Sequence, residues 1–525
     1  MPFTRSSGIL LHPTSLPGPY GIGELGSAAY RWVDWLAATG STLWQILPVG
    51  PTGYGDSPYQ CFSAFAGNPY LISIERLLED GLLVEEDLAD MPKFSPGAVD
   101  FGTIYTWKLP LLDRAFVRYQ AGAGAEFAEA MAQFRVENAH WLDDFALFMA
   151  LKEAHGGASW IEWPAKLRQR ENAALNKARK AHATAIEKQI FRQFLFFKHW
   201  GDVRAYANEK GLQIIGDIPI FVAFDSADVW AHPELFYMDK EGKPTVVAGV
   251  PPDYFSATGQ LWGNPLYRWD YHHETGYAWW LSRLRAVLKQ VDIIRLDHFR
   301  GFYDYWEIPA GEETAINGKW MDGPRGKFFD AVKAEFGELP ILAEDLGYLS
   351  PGVLDLRDEY DLPGMKVMVF AFYDDPENEF LLHNHTTNCV VYTGTHDNDT
   401  VVGWYMRVED EERDFARRYL ARDGHDIAWD LIRLAWSSPA VFAMTTMQDM
   451  LSLGNEARMN YPGRASGNWA WRMRDMDLTE GVQARLAETN FLYARHALWR
   501  KEKAELERKK KALLAAEAAE EAPSA

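Results

Sequence analysis

The sequence predicts an α/β protein built on a (β/α)8 TIM barrel. Two observations carry that prediction. Hydrophobic residues make up 47% of the 525-residue chain and charged residues 24%, a balance that supports a large core under a solvated surface. Short β-branched runs ending in polar or glycine residues recur eight times, and most are separated by segments of helical periodicity, the alternation expected of a parallel sheet with crossover helices. The length alone suggests roughly two to four domains, although barrels with insertions exceed that rule and remain one catalytic body.

In chain order the eight runs are GILLHPT from Gly8, TLWQILPVG from Thr42, LQIIGDIPI from Leu212, VDIIRLDHF from Val291, LPILAEDLG from Leu339, GMKVMVFAF from Gly364, CVVYTGTHD from Cys389 and AVFAMTTMQD from Ala440. Ser27 to Gly40, Thr275 to Gln290 and Gly326 to Gly337 have the apolar spacing of helices between them. The spacing is uneven, and the unevenness locates insertions into a single barrel body spanning 1–525. The long gap after the second run predicts a helical insertion over 80–205. A Pro-, Gly- and aromatic-rich segment after the third predicts a loop-rich insertion over 226–274, lying above the barrel mouth. The tail, 500–525, is rich in charge and helix formers and reads as a solvated helix.

The formal charge of −21 opposes binding to nucleic acid or to anionic membranes, both of which require a basic footprint. No apolar run approaches the roughly 18 residues needed to span a bilayer, and the N-terminus lacks the apolar core of a signal peptide. With Cys61 and Cys389 the only cysteines, a reducing, cytoplasmic setting fits. The 21 Trp, 23 Tyr and 29 Phe supply flat amphipathic rings of the kind that stack on sugars.

Barrel active sites form where strands end and βα loops begin. Four of the eight runs end in an acid: Asp217, Asp297, Glu344 and Asp397, with His298 and His396 beside two of them. Four carboxylates converging on one rim repel one another, so the pattern points to a shared site rather than to scattered ion pairs. A divalent metal or the paired carboxylates of glycoside chemistry would each use such a cluster. No His-x-His strand end, His-Glu-x-x-His helix or calcium loop accompanies it, which favours the second. Arg295 and Asp297 project to the same side of their strand, so the guanidinium can pair with that carboxylate. Glu344 ends an apolar run where desolvation raises a carboxyl pKa, as an acid catalyst requires. Periodicity leaves the choice between Glu344 and Asp345 open.

These residues sit in motifs that resemble the amylomaltases, or 4-α-glucanotransferases, of glycoside hydrolase family seventy-seven. The resemblance runs from about Arg5 to Arg472 through GILLHPTSLPGPYGIGELG, WQILPVGPTGYGDSPYQCFSAFAGNPYLI, IIGDIPIFVAFDSADVW, GVPPDYFSATGQLWGNPLY, IIRLDHFRGF, ILAEDLG, YTGTHDNDT and EARMNYPGRASGNWAWR. It implies an interrupted (β/α)8 barrel without a C-terminal β-domain. It further implies transfer of α-1,4-glucan segments between malto-oligosaccharides, amylose or glycogen-type glucans, with no cofactor and no metal. By this resemblance Asp297 is the nucleophile, Glu344 the acid/base and Asp397 the transition-state stabiliser. Arg295, His396 and Asp217 hold or border the donor sugar, and Tyr59 stacks on it. Asp253, Gln260 and Trp262 lie in the loop covering the acceptor site, and Asn460 contacts substrate. An α-glucan hydrolase using the same carboxylates is the alternative; a non-catalytic glucan-binding barrel expects a missing carboxylate, and all three are present.

Overall fold

The computed structural model describes residues 3–53, 55–252, 256–338, 340–347, 349–373 and 375–520, with side chains through 511. Twelve strands are present among them: β1 (Ser6–Leu10), β2 (Leu43–Gln45), β3 (Gln213–Pro219), β4 (Val246–Val250), β5 (Gln260–Pro265), β6 (Ile293–Asp297), β7 (Asp304–Pro309), β8 (Lys319–Asp322), β9 (Ile341–Ala343), β10 (Gly364–Val367), β11 (Cys389–Tyr392) and β12 (Phe442–Thr446). Eight form a parallel sheet in the order β10-β11-β12-β1-β2-β3-β6-β9. The two ends meet where Ala343 N donates to Pro363 O at 2.9 Å, giving the nearly closed (β/α)8 barrel. Each of the eight runs read from the sequence overlaps one of these strands; seven contain the whole strand, and β1 begins two residues before its run. They were legible because parallel strands, covered on both faces, stay mainly apolar: Cys389–Tyr392 and Phe442–Thr446 are buried at every position. At Gly8 a side chain is excluded by close packing, since a Cβ would lie 2.3 Å from Leu43 O.

Helices Ser27–Ala38, Ala278–Leu288 and Gly326–Phe336 occupy the positions their periodicity predicts. Between β2 and β3 the chain forms a group of helices including Phe101–Gln120, Ala139–Ala154 and Ala183–Glu209. The last is 27 residues long and continuous, so position 205, the expected end of the insertion, falls inside it. Its far end also serves the barrel, where Tyr206 meets Tyr30 of Ser27–Ala38 edge-on, with ring centroids 5.0 Å apart.

The segment expected as a loop-rich insertion contains β4 and β5. They join β7 and β8 in a second, antiparallel sheet of order β5-β4-β7-β8. Helix Glu480–Leu492 packs at the barrel's N-terminal end, where Asn490 accepts from Ser7 Oγ and Trp436 Nε1. The tail continues as helix Ala497–Glu520, exposed from 501 through 511. No helix among the described residues is long and apolar enough to cross a membrane.

Candidate active site

At the C-terminal rim of the barrel, β3 and β6 are neighbours in register, with Asp217 opposite Arg295. Arg295 is buried, and its Nη1 donates to both Asp217 oxygens at 2.8 and 2.7 Å and to Asp297 Oδ1 at 2.9 Å. One guanidinium therefore ties two strand ends together. Asp217 lies fully inside, and burial raises its pKa against the pull of Arg295, whereas the Asp297 side chain keeps 28% of its surface in the cleft. Tyr59 closes the other side of Asp217, donating to its Oδ2 at 2.8 Å. Burial, reinforced by the adjacent carboxylate, lifts the phenol well above its usual range, so Tyr59 stays a neutral donor.

The backbone reverses immediately after Asp297. His298 adopts φ +54°, a left-handed conformation that is costly for a residue with a Cβ. That turn aims the His298 N–H at Glu344 Oε2, 2.7 Å away, while Leu346 N donates to Glu344 Oε1 at 3.0 Å. Glu344 N and O bond in turn to Leu296 O and Phe299 N, both at 3.0 Å, so the β6 loop wraps the end of β9. Desolvation raises the Glu344 pKa to about 7; Arg295 opposes this rise and Asp297 adds to it. Asp345 points elsewhere, bonded to Arg357 Nη1 at 2.6 Å and to Met365 N at 2.7 Å. It anchors β10 and is spent on structure, which leaves Glu344 as the carboxyl facing the rim.

Asp397, beyond β11, is half exposed. Asn460 Nδ2 donates to its Oδ1 at 2.6 Å, His396 Nε2 lies 3.4 Å from its Oδ2, and Arg458 Nη2 bonds its carbonyl at 2.7 Å. The buried His396 ring stacks on Tyr59 at 5.2 Å and 15°. On the opposite wall, Trp262 of β5 meets the His298 ring edge-to-face at 4.9 Å and donates to Gln260 Oε1 at 3.2 Å. The structure thus gathers Tyr59, Asp217, Arg295, Asp297, Glu344, His396, Asp397 and Asn460 on one rim, with Gln260 and Trp262 joined to it through His298. Asp253, with Tyr254 and Phe255, lies outside the described residues.

Two neighbours, His12 and Trp469, were not singled out from the sequence, and His298, noted there beside Asp297, has a role that was not. His298 supplies the backbone donor to Glu344, and burial lowers its imidazole pKa to about 4. His12, just past β1, is buried against His396, and its pKa falls to about 3 through desolvation and then that neighbour. Trp469 tilts against both Tyr59 and His396, at 5.9 and 6.0 Å. The strand-end criterion that found the acids would have found His12 had it been applied to histidines. For Trp469 no local signal exists. Among the described residues no group of three or more His, Cys, Asp or Glu side chains is arranged to hold a metal ion.

A parallel barrel whose C-terminal rim joins several carboxyl groups, one shared guanidinium and stacking rings defines the carbohydrate-active class of (β/α)8 enzymes. Comparison with known proteins narrows the class. The 4-alpha-glucanotransferase family model matches residues 11–479. A 4-alpha-glucanotransferase of Thermus thermophilus is 53% identical over 494 residues, covering 93% of this chain and 98% of that one; the enzyme of that name from Synechocystis is 48% identical over 94% and 98%. Among solved structures, an amylomaltase from Streptococcus agalactiae in complex with acarbose superposes with a TM-score of 0.91 at 41% identity, over 94% of this chain and all of that one. The chain belongs to the 4-alpha-glucanotransferase family.

Proposed function

We propose that this enzyme transfers α-1,4-glucan segments from a donor malto-oligosaccharide, amylose or glycogen-type glucan to the 4-hydroxyl of an acceptor glucan or glucose, with retention of configuration. The observation that carries the reading is the contrast between two carboxyls on adjacent strands. Asp297 is open to the cleft and held by Arg295, while Glu344 is desolvated and protonated up to about pH 7. Such a pair divides naturally into nucleophile and acid.

In the proposed cycle an Asp297 oxygen attacks the anomeric carbon while Glu344 gives its proton to the leaving glycosidic oxygen. The donor's reducing-end portion departs as an alcohol, leaving a β-glycosyl ester on Asp297. Glu344, now a carboxylate, takes the proton from the acceptor 4-hydroxyl. That oxygen displaces Asp297 and restores an α-1,4 bond. One glycosidic bond is exchanged for another, so the balance requires no cofactor. Asp397, oriented by Asn460, accepts hydrogen bonds from ring hydroxyls that strengthen in the oxocarbenium-like transition state. Tyr59 and His396 form the stacking floor of the donor sugar, and Gln260 and Trp262 border the acceptor side. Asp253 is proposed for that side as well.

Hydrolysis would use the same carboxyls and differ only in the acceptor. Chromatography of products from maltotriose separates the two: transfer yields glucose together with a ladder of longer chains, whereas a hydrolase yields only shorter sugars. A wild-type reaction without longer products overturns the proposal.

A further inference from the structure

The second sheet carries an aromatic row that the reaction above leaves unused. Residues directly opposite one another across a ladder share a face. Leu261 of β5 pairs with Gly249 of β4, Gly249 with Trp306 of β7, and Trp306 with Trp320 of β8, so the four form one row across the sheet. Gly249 adds no side chain there, and a Cβ at that point would lie 2.3 Å from Gln260 O. Trp306 is fixed at the centre, its Nε1 donating to Ala315 O at 2.9 Å. The Trp320 ring meets it edge-on at 5.1 Å. One face of Trp320 rests on the Arg300 guanidinium, 3.7 Å from the ring centroid, yet the residue remains 38% exposed. Leu261 at 39% and Ile316 at 51% exposure extend the patch.

An apolar patch of this kind on a chain of charge −21 calls for an occupant that is neutral and offers flat, weakly polar surfaces. Its position names which. The same sheet turns Trp262 toward the cleft against His298, and Arg300, which backs Trp320, follows Asp297 by three residues in the loop after β6. Leu261 precedes Trp262 and projects from the opposite face of β5, so the row starts on the strand that borders the candidate active site, on the face turned away from Trp262, and runs across three strand spacings, about 14 Å, to Trp320. We propose that this row is a glucan platform: the exposed part of the Trp320 ring stacks on a glucose unit of an α-1,4-glucan chain remote from the bond being exchanged, holding long substrates beside the mouth. The guanidinium behind the ring fixes its orientation, so little side-chain entropy is lost on stacking. The proposal deepens the glucan reading of the cleft and rests on it.

The test compares Trp320→Leu, which keeps an apolar side chain and removes the flat face, with Trp320→Tyr, which keeps a ring. The readout is kcat/KM on amylose divided by kcat/KM on maltotriose, alongside mobility in native gels with and without glycogen. Trp320→Leu is expected to lower the ratio about fivefold and to weaken glycogen retardation, and Trp320→Tyr to stay within about twofold of wild type, as one aromatic stack would produce. Equal ratios in all three proteins overturn the proposal. So does an equal fall in both variants, which would assign Trp320 to packing alone. Wild-type mobility indifferent to glycogen also overturns it, leaving the patch to a protein contact. Failure of the wild type to lengthen maltotriose overturns the transfer reading instead, and the gel measurement, which needs no turnover, keeps the two failures distinguishable.

Discussion

Replacing Glu344 by Gln should make the protein more stable at alkaline pH while removing its activity. The carboxyl sits where burial lifts its pKa from 4.5 to about 7. Below pH 4.5 the group is neutral whether the chain is folded or not. Between 4.5 and 7 the unfolded chain releases the proton and the folded one keeps it, so stability falls as pH rises. Above 7 the full cost is present. A displacement of about 2.5 pH units at about 1.4 kcal/mol each gives about 3.5 kcal/mol. Glutamine has nearly the same shape and carries no charge. Its amide oxygen can still accept from the His298 or Leu346 N–H, although one of the two bonds is weakened, which reduces the expected gain to about 1 to 3 kcal/mol. Urea unfolding of both proteins at pH 4 and pH 8 reads this directly: the curves should nearly coincide in acid and separate in base, with Gln more stable. Activity on maltotriose should fall by about 10²- to 10⁴-fold, the usual worth of a general acid. An α-maltosyl fluoride donor, whose leaving group needs no proton, should restore formation of the glycosyl-enzyme. Equal stability of the two proteins at pH 8 would refute the argument that the site holds a carboxyl against its solvation preference.

Asp297→Ala should abolish turnover on maltotriose and on the fluoride donor alike, since no other group can accept the sugar; substantial transfer by a folded variant, checked by circular dichroism, removes Asp297 from its role. For wild type, kcat/KM should fall about tenfold per pH unit above about 7 as free-enzyme Glu344 loses its proton, and a pH-rate profile flat to pH 9 contradicts that assignment. Incubation with EDTA should leave the rate unchanged, and activity lost and then restored by a divalent ion reinstates a metal site. Trp262→Ala should lower the ratio of transfer to hydrolysis more than it lowers donor cleavage if the ring, set against His298, borders the acceptor side as proposed; glucose and longer chains quantified in one maltotriose reaction give both rates.

The barrel was legible because its strands are covered on both faces and mainly apolar, with the few polar residues gathered at strand ends. The second sheet was not, and its pattern explains why. Along DYWEIP of β7, the charged Glu307 is buried and paired with Lys319 at 3.1 Å, while the apolar Trp306 is only half buried. The usual correspondence of polarity with exposure is inverted there. In β5, Gly263, Asn264 and Pro265 are turn formers that read as loop even though they lie in a strand. At the candidate site the acids were visible as strand ends, but the choice of Glu344 over Asp345 depends on Arg357, twelve residues further on, turning back to claim Asp345. The donor role of the His298 backbone depends on a φ of +54°, which histidine adopts more readily than most side chains but which its presence does not dictate.

The geometry also explains how four carboxyl groups tolerate one rim. Asp217, Asp297, Glu344 and Asp397 converge, and among the described residues Arg295 is the one lysine or arginine whose side chain bonds any of their carboxyl oxygens. Fully ionised, the group would carry an excess of negative charge in a poorly solvated cleft, at a cost of several kcal/mol. The proton held by Glu344 removes part of it, and the Tyr59 phenol takes up part of the charge on Asp217. What remains is set against the reaction. In the proposed cycle, when Glu344 surrenders its proton to the leaving oxygen, a new negative charge appears in the cleft as the anomeric carbon becomes oxocarbenium-like. The repulsion that disfavours the empty, deprotonated site becomes attraction to the developing cation, and it is present only in that state. A site arranged this way is poor at holding ground-state charge and good at meeting transition-state charge, so the same desolvation that costs stability at alkaline pH lowers the barrier to glycosyl transfer.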